Sequence, residues 1–213
     1  GASRYKESKP ILEEALALHE RALGKNDPDT IRVLLGLSWS HITLSSQFEK
    51  AVDLAKQALS RSETLHPDDP ARFRAREQLS LAYGYITRSR TDQRGAERRR
   101  LAQENLEFAR RVFGPEHSKT ISALENRGLA GATPQESLDL MNECYQLALK
   151  HWGPKHRGTL RAQRCLAEAY SNTGERKKSE ELFLSGLETL RANFSRQGRL
   201  LLDYLWPLGW FYS

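Results

Sequence analysis

The chain has 213 residues, 38% apolar and 28% charged, with a net charge of +6. That composition excludes disordered and collagen-like classes and suits a soluble helical protein, and the small basic excess favours acidic partners without marking a nucleic-acid binder. Its two cysteines, Cys144 and Cys165, are too few for a disulfide framework or a structural zinc site, and no apolar run reaches the ~18 residues that cross a bilayer.

Taken in chain order, Gly1-Ala2-Ser3 reads as a cloning remnant, and helices follow from residue 4. Ser8, Leu12 and Ala15 lie at i, i+4 and i+7, on one helical face. A connector comes next, Gly24-Lys-Asn-Asp-Pro-Asp-Thr30, and it returns as Gly114-Pro-Glu-His-Ser-Lys-Thr120 and Gly153-Pro-Lys-His-Arg-Gly-Thr159. A first helix is predicted to begin at or near each motif Thr, which reads as its N-terminal signal. After Thr30 come Leu34, Leu37, Ser38 and His41; Leu81, Ala82 and Tyr85 reproduce the last three in the next unit, and Leu166, Ala167 and Tyr170 do so after Thr159. Second helices carry the i, i+4, i+7 trio at Ala51/Ala55/Ala58, Ser137/Met141/Cys144 and Ser179/Phe183/Gly186, with one more expected at Arg98/Ala102/Asn105. The unit after Thr120 is degenerate, with Arg127, Gly128 and Gly131 at expected apolar places, and reads as a bend or weak point. A short motif recurring at this distance marks a helical solenoid, in which each unit buries its apolar face only against its neighbours.

The connector and the helix pattern around it resemble the 42-residue tetratricopeptide repeats of kinesin light chains, over about residues 4 to 192. Related repeats occur in fungal and bacterial signalling proteins. The resemblance implies an all-α, right-handed superhelix, an α-solenoid, acting as a protein-binding scaffold with a groove lined by first helices. It implies no enzyme and no cofactor. Kinesin light chains carry paired Asn on each first helix; the corresponding places here read Leu35-Gly36, Leu79-Ser80, Glu125-Asn126 and Arg164-Cys165, so only Asn126 survives.

On that architecture the groove positions of the unit from Thr30 are Arg32, Leu35, Trp39, Ile42 and Thr43, and those of the next are Arg76, Leu79, Tyr83, Ile86 and Thr87. The last unit offers Arg161, Arg164, Glu168, Ser171 and Asn172. Arg pairs bidentately with carboxylates and aromatics supply contact area, so the expected ligand is a protein or peptide segment, apolar with acidic residues. The residues expected to bind it are Arg32, Leu35, Trp39, Arg76, Tyr83, Arg161 and Arg164. A second basic feature, Arg88, Arg90, Arg94, Arg98, Arg99 and Arg100, reads as an Arg-rich turn spanning 88–100, which would make an RNA or phospho-ligand adaptor the alternative. Another alternative is the sensor arm of a larger signalling ATPase or regulator.

No Walker-type loop, metal-binding His spacing or nucleophile motif appears, and His117 and His156 share the connector's His position. Buried free thiols fit a reducing, cytoplasmic or nuclear compartment with no membrane partner. The last stretch, 193–213, crowds Leu200, Leu201, Leu202, Tyr204, Leu205, Trp206, Leu208, Trp210, Phe211 and Tyr212. It is expected to cap the last pair, with self-association through its aromatics as the other outcome.

Overall fold

The computed structural model describes residues 2–43, 47–86, 93–131 and 133–193, with 201, 202, 204, 205, 208 and 209, and their side chains from Pro10 onward. Among these residues there are nine helices longer than a turn and no strand. The chain divides into two compact units, Gly1–Val112 and Phe113–Ser213.

The first unit holds α1 (Ala2–Ala22), α2 (Pro28–Thr43), α3 (Phe48–Ser62), α4 (Pro70–Ile86) and α5 (Gln93–Val112). Successive helices pack on one another, and first helix α2 also packs on first helix α4. The expected trio Ala51, Ala55 and Ala58 is fully buried, and its small side chains let α3 come close to its neighbours. The weaker trio is in register too: Ala102 and Asn105 are buried, as is Ala109 one turn on.

First helices do not start at the motif Thr. They start at Pro28, Pro70, Ser118 and Arg157, and the cap is the residue just before. Asp27 Oδ1 accepts from Asp29 N at 2.8 Å and Asp69 Oδ1 from Ala71 N at 2.7 Å; His117 Nδ1 accepts from Lys119 N at 3.1 Å and His156 Nδ1 from Gly158 N at 3.0 Å. These side chains satisfy N–H groups that a helix start leaves without an intrahelical partner. Thr30, Thr120 and Thr159 are buried instead. Thr120 Oγ1 donates back to Gly114 O at 2.6 Å, and Thr159 Oγ1 to Ala148 O at 3.0 Å.

The caps also correct the register of α4. Pro70 follows Pro28 by 42 residues, so Leu79, Ser80 and Tyr83, not Leu81, Ala82 and Tyr85, hold the places of Leu37, Ser38 and His41. All six are buried, and Ser80 Oγ donates to Arg98 O as Ser38 Oγ does to Ala51 O. The Leu-Ala-x-x-Tyr match lies two residues too late, which is about 200° round a helix.

The expected Arg-rich turn is also corrected. α5 begins at Gln93, so Arg94, Arg98, Arg99 and Arg100 are helical, while Arg88 and Arg90 lie outside the described residues.

The second unit holds α6 (Ser118–Leu129), α7 (Pro134–Trp152), α8 (Arg157–Asn172) and α9 (Arg176–Asn193). Gly128, at a place where an apolar residue was expected, is a point of close approach: a Cβ there would come within 2.8 Å of Met141 Cε. The short link after α6 is completed by Thr133, whose hydroxyl accepts from Glu136 N at 3.1 Å and caps α7. Beyond α9, Tyr204 and Leu208 are buried in one cluster with Leu160 of α8 and Phe183, Leu187 and Leu190 of α9. Trp206, Pro207, Trp210, Phe211 and Tyr212 lie outside the described residues.

Candidate protein-binding surface

In the first unit, α2 turns Ile31, Leu34 and Leu35 into one cluster with Ala71 and Ala75 of α4, and Ile42 into another with Leu79 and Ala82. Trp39 is left outside the packing, 41% exposed. Arg32, two turns before Trp39 on the same face, is exposed and pairs with Asp29 at 3.1 Å, itself exposed. Carrying that face across the 42-residue period gives Arg74, Leu81 and Tyr85 on α4. Arg74 and Tyr85 are exposed and Leu81 half-buried. Tyr85 stacks on Phe48, ring centroids 5.5 Å apart. The signal for these three was in the sequence, in the Asp-Pro pairs that open α2 and α4; it was hidden by the absence of the connector's Gly and Thr in the second copy.

The other first-unit residues expected in the groove lie elsewhere. Leu35 and Tyr83 are buried. Tyr83 looks toward the second helices, lining a cleft of about 590 Å3 with Val52 of α3 and Arg94 and Arg100 of α5. Arg76 also points at α5, its Nε 3.5 Å from a Glu104 carboxylate oxygen and its guanidinium 5.9 Å from the Phe108 ring centre. Burial lowers the Arg76 pKa and Glu104 acts against it.

The basic residues of α5 are engaged with carboxylates. Arg94 forks onto Glu49 of α3, at 2.8 and 3.3 Å. Arg100 bonds Glu97 at 2.9 and 2.6 Å and Glu104 at 2.5 Å. The bond from Arg100 holds the Glu97 carboxyl below its ordinary pKa. Arg98 lies against α4, where a Cβ on Gly84 would meet its guanidinium carbon at 3.0 Å.

In the second unit Arg161 and Arg164 are also paired with carboxylates. Arg161 Nε donates to both oxygens of Glu125, at 2.7 and 2.9 Å, and its Nη2 to one of them at 2.7 Å. Glu125 is buried at the base of a pocket of about 210 Å3 lined by Ile121, Ser122, Trp152 and Arg157. Burial works to lower the Arg161 guanidinium, and Glu125, by charge and by hydrogen bond, raises it overall. Arg164 pairs with Glu168 one turn on. Cys165 beneath them is buried, its thiol pushed up to about 12 by burial and then by Glu125; Cys144 is buried too and raised for the same two reasons. Neither thiol is positioned as a nucleophile.

Among the described residues no group of three or more His, Cys, Asp or Glu is placed to hold a metal ion, and no helix is long and apolar enough to cross a membrane. Paired helices, capped connectors and small-residue trios define a tetratricopeptide-repeat solenoid, and residues 2–64 match the tetratricopeptide repeat family. In fold they are similar to kinesin-light-chain-like repeats of known structure. Nearly identical TPR-like repeats assigned to a kinesin light chain of Podosopora anserina are 22% identical, with a TM-score of 0.68 over 92% of this chain and 90% of that one. BtubC (BKLC) from P. vanneervenii is 16% identical, with a TM-score of 0.75 over 100% of this chain and 83% of that one. A Rap protein complexed with competence and sporulation factor is 14% identical, with a TM-score of 0.69; the match takes in 89% of this chain and 50% of Rap. A search of curated protein sequences gives no match. This fold is typically a non-catalytic, protein-binding scaffold.

Proposed function

We propose that this chain is a protein-interaction scaffold that holds a partner's peptide segment against the exposed face of α2 and α4, with Trp39 as the anchor. Trp39 carries the reading. It is a large apolar side chain, 41% exposed, on a helix whose other faces are filled. Trp and Arg are over-represented among residues that dominate binding energy. Leu81 and Tyr85 extend the apolar face, and Arg32 and Arg74 are the cations for an acidic residue of the ligand. The Arg32–Asp29 pair is solvent-exposed and cheap to exchange.

Leu35 and Tyr83 support this face from within, and Arg76 stays with Glu104. Arg161 and Arg164 remain candidate contacts in the second unit, but a carboxylate ligand must there displace Glu125 or Glu168. The Rap complex with its factor is in keeping with ligand binding by this fold. The carboxylate partners of Arg94 and Arg100 weigh against the nucleic-acid and phospho-ligand reading. A non-enzymatic role and an intracellular setting follow as part of the same proposal.

The test is capture of partners with the wild-type chain beside Trp39→Ala and Arg32→Glu variants. Each must keep the wild-type melting curve, because both residues are exposed. A partner that binds at least about tenfold more weakly to Trp39→Ala supports the reading. Unchanged binding to both variants rejects it.

A further inference from the structure

First helices α2 and α4 pack on each other, whereas second helices α3 and α5 stand apart. The space between them is the cleft of about 590 Å3, with Tyr83 of α4 in its lining. α3 lines it with Glu49, Val52, Asp53 and Lys56, and α5 with Gln93, Ala96, Glu97 and Arg100. Both sets run i, i+3, i+4, i+7, so each helix turns one continuous face to the cleft. The Arg94 fork onto Glu49 bridges the two helices at their N-terminal ends. A space of this volume lies within the roughly 300–1,000 Å3 of small-molecule sites.

Most of the charges here already hold one another. Arg94 is on Glu49, and Arg100 is on Glu97 and Glu104. Lys56 acts across the cleft: it adds to the Arg100 hydrogen bond and charge that keep the Glu97 carboxyl below its ordinary pKa, against burial. Asp53, Lys56 and Tyr83 are left over. Asp53 and Lys56 are exposed and have no hydrogen bond or ion pair among the described residues. Tyr83 is only 6% exposed, yet its hydroxyl has no hydrogen-bond partner among them either. A tyrosine buried this far ordinarily bonds through its hydroxyl, so an open partner position beside a cleft points to a ligand.

The groups left over are an anion, a cation and a hydroxyl, and the lining as a whole carries as many acidic as basic side chains. A ligand with a single charge would meet its own sign as readily as the opposite one, whereas a zwitterion can match both. Asp53 and Lys56 are three residues, about 4.5 Å, apart along α3. One amino-acid residue spans about 3.5 Å and two about 7 Å, so two residues reach from one charge to the other. We propose that the cleft binds a small zwitterion of the apolar dipeptide class. Its ammonium sits on Asp53, its carboxylate on Lys56, its peptide group on the Tyr83 hydroxyl and its side chains on Val52 and Ala96. The site lies between second helices, apart from Trp39, and stands independently of the proposed partner binding.

Amide chemical shifts of Val52 and Ala96 in the whole chain, followed while leucyl-leucine is added to about 10 mM, test this. Both should move and saturate with a Kd of about 1 mM or below. N-acetyl-leucyl-leucine, which lacks the ammonium, and leucyl-leucine amide, which lacks the carboxylate, should each bind at least about tenfold more weakly. Asp53→Asn should weaken leucyl-leucine as much and leave the acetylated form unaffected; Lys56→Gln should do the same for the free and amidated forms. Tyr83→Phe removes only an unbonded oxygen, so it should keep the wild-type melting curve and still bind severalfold more weakly. Trp39→Ala should bind like the wild type. No shift with leucyl-leucine at the highest concentration overturns the proposal, as does equal binding of the blocked forms or unchanged affinity in the three cleft variants. Free and blocked dipeptides are compared on the wild-type chain, so that comparison decides the matter even if a variant unfolds.

Discussion

The Tyr204 ring lies directly over Gly186, where a Cβ would come within 2.2 Å of Tyr204 Cε1. In two earlier pairs the residue at Gly186's place donates to the carbonyl of the fourth residue of its first helix. Asn105 Nδ2 reaches Phe73 O at 3.1 Å, and Cys144 Sγ reaches Ile121 O at 3.5 Å. Glycine has no donor to offer. The Tyr204 hydroxyl passes through the space and donates to Leu160 O, the equivalent carbonyl.

Gly186→Ala should therefore destabilise the chain by about 1–3 kcal/mol through overpacking. Tyr204→Phe should cost about 1 kcal/mol for the lost hydrogen bond, and Tyr204→Ala about 3–5 kcal/mol. With Tyr204→Ala already present, Gly186→Ala should cost nothing or even stabilise the helix by up to about 1 kcal/mol. Urea denaturation of the four variants would show this non-additivity.

The connector caps differ in charge between the two units. Asp27 and Asp69 put a carboxylate at a helix N-terminus, whereas His117 and His156 use a neutral ring nitrogen in the same place. Ala at His117 or His156 should each cost about 1 kcal/mol. Asp at either should raise stability by about 0.3–1 kcal/mol, because it keeps the acceptor and adds charge favoured by the helix dipole. Amide hydrogen exchange at Lys119 and Gly158 would localise both effects.

Burial raises the Cys144 and Cys165 thiols, with Glu125 acting in the same direction. The fold therefore prefers the protonated form. Its contribution to stability is complete below the ordinary thiol pKa of about 8.5 and is lost as pH rises from there toward the raised value. The melting temperature should fall above that point, and a Cys144→Ala, Cys165→Ala variant should fall less. Some decline should persist in the variant, since burial also raises Tyr204. A thiol reagent at about pH 8 should label the unfolded chain and spare the folded one.

Arg161 should matter to stability in a way Arg32 does not. Arg161→Ala strands the buried Glu125 carboxylate and should cost about 1–3 kcal/mol, whereas Arg32→Ala, which breaks an exposed pair, should stay within about 0.5 kcal/mol. Tyr83→Ala should cost about 3–5 kcal/mol and Trp39→Ala much less, which separates the aromatic that holds the core from the one offered to a partner. Chemical denaturation of the four single variants checks the order.

The period, the connector and the small-residue trios were legible in the sequence, because they are repeated local patterns and each copy supports the others. They were enough for the all-α repeat fold and for placing α5 on Ala102 and Asn105. The face each first-helix residue presents was less legible. An α-helix turns about 100° per residue, so the two-residue slip at Leu81, Ala82 and Tyr85 exchanged the core face of α4 for its exposed one. Tyr83 and Arg76 were read as groove residues from that register, whereas Arg74 and Tyr85 stand on the exposed face.

Chain order carries no information on which carboxylate a long Arg side chain meets across 45 residues, as Arg94 meets Glu49, or 36, as Arg161 meets Glu125. Nor does it show that a tyrosine after α9 fills the space left by Gly186. By itself the sequence determined the repeat and therefore the architecture, since both rest on periodicity along the chain. Only the tertiary structure decided which cations are already paired, which aromatics are buried and which faces stay open, because those depend on distances between helices.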